Sequence, residues 1–320
     1  MNTATITSRK FLMLGVLLLV LALLATVPFY VAPGTKTLMI SFLMYIVLAV
    51  SWTMFSGPTG YISLAPAAFF GSGVYVTAIL FERGGALLPL PAVIVIAALV
   101  SFCFALIVGS ATLRLRGIYF TMFTFGLLEL ARRLIQYYEF NVADTRGRYI
   151  TSVDGDTVYY IMLAISVVTV LTVYLIRRSR YGLALQSIGD NEEAAAHMGV
   201  NVTRVKVITF AVSAIFMGAA GAIVVTRWVY VDTSIAFNLN YSFLPLLMAI
   251  VGGMGQLYGP VLGALGFAYL RHSLLNWGSE YYMLIFGAIL VLFILFLPDG
   301  LAGLVQRWWK RISGGRYANT

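Results

Sequence analysis

Pro89-Leu-Pro-Ala-Val-Ile-Val-Ile-Ala-Ala-Leu-Val-Ser-Phe-Cys-Phe-Ala-Leu-Ile-Val-Gly-Ser-Ala-Thr-Leu113 runs for 25 residues without one charged side chain. At about 1.5 Å of rise per residue, a helix of that length crosses the roughly 30 Å hydrocarbon layer of a bilayer. The same character returns near 11–31, 37–56, 61–81, 117–135, 157–176, 207–226, 241–252, 260–275 and 281–297, ten segments in all. Composition agrees: 61% of the 320 residues are hydrophobic and only 10% are charged, against about a quarter charged in a soluble domain. Twelve acids and 21 bases are too few to coat a soluble body of this size. The expected fold is all-α, a polytopic transmembrane helical bundle of about ten membrane segments with broken or re-entrant helices. It forms one transmembrane domain over 1–320, with no internal repeat or low-complexity segment.

Charge sets the expected orientation. Ten spans put both termini on one side, together with Arg9, Lys10, Arg114, Arg116, Arg177, Arg178, Arg180, Arg204, Lys206, Arg307, Lys310, Arg311 and Arg316. Those 13 bases face four acids (Asp190, Glu192, Glu193 and Asp299), so the net +9 falls on that side. Cytoplasmic loops carry the excess of Lys and Arg, which places both termini inside and the basic tail, about 302–320, with them. The basic total is thus an orientation signal and not a nucleic-acid footprint. Arg9 and Lys10 precede an apolar run, Phe11–Val27, that is longer than a signal-peptide core and reads as a retained first helix. Cys103 is alone, so there is no disulfide framework. Tyr281, Tyr282, Trp308 and Trp309 suit interfacial belts. The outer loop, about 132–157, is too short for a domain and reads as a capping loop or short interfacial helix.

The inner loop, about 177–206, is the least ordinary stretch. Asp190 is expected to cap a helix in which Glu192 and Glu193 lie in the first turn, where the dipole favours acids. Ala194 and Ala195 propagate it, and Gly199 suits a left-handed stop. A helix of about two turns is marginal alone in water, so it has to dock on the membrane body or on a second protein.

Four further stretches, with this loop, carry a resemblance. Gly189–Gly199 resembles the EAA motif of permease subunits in bacterial ABC importers. Gly57-Pro-Thr-Gly-Tyr-Ile-Ser-Leu-Ala-Pro-Ala-Ala-Phe-Phe-Gly-Ser-Gly-Val-Tyr75, Leu113-Arg-Leu-Arg-Gly-Ile-Tyr119, Gly252-Gly-Met-Gly-Gln-Leu-Tyr-Gly-Pro-Val-Leu-Gly263 and Pro298-Asp-Gly-Leu301 are similar, in that order, to segments of branched-chain amino-acid permeases of the LivM type. Pro58, Pro66 and Leu297 depart from that pattern. The resemblance implies an ABC importer permease of the branched-chain amino-acid/sugar permease superfamily, in the bacterial inner membrane. Its implied partners are a second homologous permease subunit, two cytoplasmic ABC ATPases and an extracytoplasmic solute-binding protein. Asp190, Glu192, Glu193, Ala194, Ala195 and Gly199 would then couple to an ATPase. ATP and Mg would sit on those subunits, with no cofactor on this chain.

The remaining candidates rest on residue chemistry. Gly255, Gly259 and Gly263 recur every fourth position and are expected to pack one helix face closely. Gly252 and Gly253 break regular helix, tolerated at membrane depth only beside protein or a water-lined path. Gly57, Gly60 and Ser63 pose the same choice, a simple inner turn or a deeper break lining the solute pathway. Glu129 is a carboxylate inside an apolar run, hence a functional suspect, but Arg132 and Arg133 lie one turn on and suit an ion pair. Neither His197 nor His272 has neighbours at metal-ligand spacing in the sequence. None of the four lysines follows a glycine in a phosphate-binding loop, so the chain is not expected to be an ATPase or any other enzyme. Three readings in two function classes remain: an importer permease for branched-chain or related amino acids, the same class for urea or short-chain amides, and a proton-coupled secondary transporter using Glu129. A channel-like facilitator has no ring of charges or carbonyl filter to support it.

Overall fold

The computed structural model describes residues 22–84 and 88–277, with positions 285, 287, 288, 291, 295, 300–304 and 306. The expected span 281–297, the acids and bases of both termini, and Tyr281, Tyr282, Trp308 and Trp309 lie almost wholly outside the described residues. α1 is described over 22–30. Beyond it come α2 (Pro33–Thr59), α3 (Pro66–Gly84), α4 (Leu90–Thr112), α5 (Ile118–Tyr138), a π-helical turn (Glu139–Ala143) and strand β1 (Arg148–Tyr149). Next are α6 (Gly155–Arg178), α7 (Arg180–Asp190), α8 (Glu192–His197) and α9 (Val202–Val224). Strand β2 (Tyr230–Val231), α10 (Thr233–Ala236), α11 (Asn240–Gly252) and α12 (Tyr258–Trp277) follow.

Five described helical stretches are long and apolar enough to cross a membrane: Gly34–Thr59, Leu90–Thr112, Gly155–Arg178, Val202–Arg227 and Thr233–Gly252. Local chemistry sets their ends. Pro33 opens α2 where a missing amide costs nothing, and Gly60 closes it at φ 70 with its amide on the Ser56 carbonyl. Asp154 caps α6 by accepting from the amides of Asp156 and Thr157, while Arg177 and Arg178 complement the dipole at its other end.

α2 and α9 form the centre, with 78% of each apolar span buried inside the chain. α3 and α4 pack on α9. A Cβ added to Gly73 of α3 would come within 2.0 Å of the Gly218 carbonyl oxygen of α9, so the two backbones touch. Beside them Ser72 and Ser101 share a hydrogen bond of 2.8 Å. Small residues that admit such approach are the usual adhesive between membrane helices, where lipid supplies no hydrophobic drive. α6 is the opposite case, with 28% of its span buried, which leaves it to lipid or another subunit.

The charges sort to two ends about 40 Å apart along α2. At one end Lys36 pairs with Asp156 at 2.5 Å and Arg227 donates to Thr37. Here β1 pairs antiparallel with β2, Arg148 opposite Val231, and Arg148 is buried in ion pairs with Glu82 and Glu139. Burial pushes the Glu139 carboxyl above its ordinary value against a hydrogen bond from Tyr75. The other end holds Arg116, Arg177, Arg178, α7 and α8, the basic face expected from the sequence.

Replacing Gly218 with valine should lower the melting temperature in detergent, since overpacking costs about 1–3 kcal/mol or more. A Cβ at Gly126 of α5 meets nothing within 4 Å, so Gly126→Ala should hold or raise the melting temperature, with a stability gain of up to about 1 kcal/mol.

Candidate functional site

Between α2 and α3 the chain leaves regular structure for residues 60–65, and most of this connector is buried. Side chains from three helices satisfy its backbone. The indole of Trp52 in α2 donates to the Ser63 carbonyl at 2.8 Å. From α5, Thr121 donates to the Ile62 carbonyl and Thr124 accepts from the Leu64 amide. Ser242 of α11 donates to the Leu64 carbonyl at 2.8 Å and accepts from the Ala67 amide at 2.9 Å. Irregular backbone that is buried survives only with such partners.

The inner loop contains two helices, and their junction differs from expectation. α7 runs through Asp190, whose helical geometry removes it from the capping role, and the Asn191 amide still bonds to the Ser187 carbonyl. Asn191 is extended and caps α8, its Oδ1 accepting from the amides of Glu193 and Ala194 at 3.0 Å each. Asn and Asp cap equally well, so backbone geometry alone decides between adjacent candidates. Ala195 is fully buried against Leu185, Ile188 and Val205, which fixes α8 to α7 and α9. Glu193, Ala194, Ala196, His197 and Met198 stay exposed on the other side, and Gly199 ends the turn at φ 86.

Glu192 points inward. Its Oε2 accepts from the Tyr61 hydroxyl at 2.5 Å and its Oε1 from Lys206 Nζ at 3.0 Å. Lys206 is 1% exposed, donates also to the Tyr61 oxygen at 3.3 Å, and lies 4.5 Å from the centre of that ring. Arg116 of the α4–α5 turn reaches Glu192 at 3.8 Å and Glu193 at 3.1 Å. Burial alone would raise the Glu192 carboxyl, but the hydrogen bonds from Tyr61 and Lys206, with the charges of Lys206 and Arg116, hold it below its ordinary value.

The other expected residues separate. Gly57 lies in the last turn of α2 and, with Met54, Arg177, Gln186, Asp190 and Met254, lines a groove of about 330 Å³ at the basic end. Gly60 is the left-handed stop of α2. Ser63 is 3% exposed, its hydroxyl accepts from the Ala65 amide, and the cavity beside it holds about 10 Å³. Gly252, Gly253, Gly259 and Gly263 come together where α11 meets α12: an added Cβ at 252, 259 or 263 would lie within about 2 Å of a carbonyl oxygen across the contact. Gly255 does not join them, because α12 begins only at Tyr258 and an added Cβ at Gly255 would meet nothing within 4 Å. Gly300, from the C-terminal motif, abuts Val251 and Gly253. Glu129 accepts from both Arg132 and Arg133 at 2.9 Å. Among the described residues no group of three or more His, Cys, Asp or Glu is placed to hold a metal.

Sequence reasoning left Lys206 in a loop. α9 begins at Val202, so Lys206 is a helical lysine at the head of an apolar span, a pattern that signals a partner. Tyr61 carried no such signal, since its partner is 131 residues away.

The family described as branched-chain amino acid transport system, permease component, matches residues 34–294. The high-affinity branched-chain amino acid transport system permease protein LivM of Salmonella typhimurium is 27% identical, over 97% of this chain and 79% of the relative. Its namesake from Escherichia coli K12 is 26% identical over the same shares. The ribose import permease protein RbsC of Haemophilus influenzae is 29% identical over 43% of this chain and 44% of its own length. No solved structure matches.

Ser242→Ala strips a partner from the Leu64 carbonyl and the Ala67 amide, and should cost about 1–3 kcal/mol in chemical denaturation. A carboxyl held low in the folded state contributes stability that is present at neutral pH and lost as pH falls through its folded value. Thermal unfolding followed from about pH 7 to about pH 3 should therefore show a shallower acid decline for Glu192→Gln than for the parent chain.

Proposed function

Because this chain belongs to the family of permease components of branched-chain amino acid transport systems, we propose that it is one of two permease subunits of an ATP-driven importer for branched-chain or related amino acids. The observation that carries this reading is α8. It is a capped helix of six residues, pinned by buried Ala195, that presents Glu193, Ala194, Ala196, His197 and Met198 outward from the basic end. Such a helix gains nothing from exposure and suits a surface into which a cytoplasmic ATPase docks. The chain has no phosphate-binding loop, so hydrolysis would be the partner's work. Excess base at the α8 end makes that end cytoplasmic, with both termini.

A second permease is supported by α5. Tyr119, Met122, Phe123 and Leu130 are exposed along it, and Glu129 and Arg133 lie among them. Ionised side chains on a membrane helix face protein or water, not lipid. A neighbouring permease on this face would cover them and enclose the solute route between subunits, since the cavity beside Ser63 is too small for an amino acid. An external solute-binding protein would deliver the solute. The relatives named for branched-chain amino acids, aligned over 97% of the chain, favour that cargo, the ribose relative aligning over 43% of it. Glu129 is held by two guanidinium groups, which gives the proton-coupled alternative no support.

Liposomes holding this chain alone should show no leucine uptake under a proton gradient. Adding the second permease, ATPases and binding protein should give ATP-dependent uptake, and uptake by the single chain would overturn the proposal. Met198 is 70% exposed, so Met198→Glu should weaken ATPase association at least about tenfold while insertion is unchanged.

A further inference from the structure

Besides the apolar contact at Ala195, α8 is held by polar ties that reach three other parts of the chain. Glu192 in its first turn holds Tyr61 on the α2–α3 connector, Lys206 in α9 and Arg116 in the α4–α5 turn, at 2.5, 3.0 and 3.8 Å. Two of the three are deep: Lys206 is 1% and Tyr61 9% exposed. A lysine so buried needs its carboxylate, and a carboxylate so engaged cannot move without its partners. From Tyr61 the contacts lead inward. Its ring meets Phe120 of α5 edge-on at 5.5 Å, and Phe120 and Phe55 both pack on Phe210 of α9. The connector that carries Tyr61 is bonded to α5 twice, through Thr121 and Thr124, and to α11 through Ser242. α5 is the helix whose outer face is open and bears the charged side chains.

We propose that Tyr61, gripped by the Glu192–Lys206 pair, is the positioning residue through which displacement of α8 reaches the α2–α3 connector and α5. The proposal rests on α8 being where an ATPase docks, and it deepens that reading by naming the route inward. The apolar contact of Ala195 with α7 and α9 ties α8 to its neighbours but touches neither the connector nor α5. The Tyr61 hydroxyl is the direct link from α8 to the connector, whereas Arg116 ties Glu192 and Glu193 only to the exposed α4–α5 turn, where an ion pair holds weakly. Removing the phenol oxygen cuts that link while the ring keeps its place against Phe55 and Phe120. Shape and burial are then conserved and only the grip is lost.

The test uses the complete transporter in liposomes and reads three quantities: assembled complex, ATP hydrolysis and solute taken up per ATP. Tyr61→Phe should assemble and hydrolyse ATP, with uptake per ATP down at least about tenfold. Lys206→Met should do the same, and Lys206→Arg, which retains charge and donors, should restore most of the coupling. A spin-label pair on α8 and α5 should report ATP-dependent motion of both helices in the parent, and of α8 alone in Tyr61→Phe. Unchanged uptake per ATP in Tyr61→Phe would overturn the proposal, as would uptake and hydrolysis falling together with assembly. If the docking reading itself is wrong, Met198→Glu leaves ATPase association intact, an outcome separate from either of these.

Discussion

A backbone carbonyl or amide buried inside a protein has no water to turn to, and the 60–65 connector is where this chain meets that constraint most sharply. A helix would satisfy those groups internally. Here the helix stops at Gly60 and restarts at Pro66, and the intervening carbonyls of Ile62, Ser63 and Leu64 are met by Thr121, Trp52 and Ser242. Each donor comes from a different helix, so α5, α2 and α11 must converge on one segment. That convergence places Tyr61 beside Glu192 and hence locates α8 on the body.

Close packing supplies the rest of the frame. Lipid is as apolar as leucine, so burial of apolar surface does not hold membrane helices together as it does in water. Contact between backbones does, and the Gly73–Gly218 approach and the Gly252–Gly259–Gly263 cluster bring α3 to α9 and α11 to α12. The two ends differ in electrostatic character. Among the described residues, the basic end keeps one buried cation, Lys206, tied to a carboxylate and a phenol. The far end buries Arg148 between Glu82 and Glu139 under a two-residue ladder. Both arrangements surround a cation with oxygen acceptors, as desolvation requires.

Legibility followed the range of the interaction. Long apolar runs such as Leu90–Thr112 read directly, because membrane thickness fixes the length of apolar helix it needs. The Glu129–Arg132–Arg133 pairing was also legible, being an i, i+3, i+4 matter on one helix. Asp190 was the wrong cap by one residue, since sequence chemistry cannot say whether α7 runs one residue further. Gly255 fell off its expected stripe because the periodicity of a helix counts only once the helix has begun.

By itself the sequence determined that this is a membrane-embedded helical bundle, which end is basic, and where a short acidic helix interrupts the spans. Those are properties of composition and local spacing, and they need no partner. The tertiary structure alone decided that Glu192 faces inward while Glu193 faces outward, that Lys206 is a buried helical cation, and that Tyr61 closes the triangle between them. Tyr61 and Glu192 are 131 residues apart, and nothing within either motif points to the other. Only the convergence of helices around a non-helical stretch of backbone brings them within a hydrogen bond.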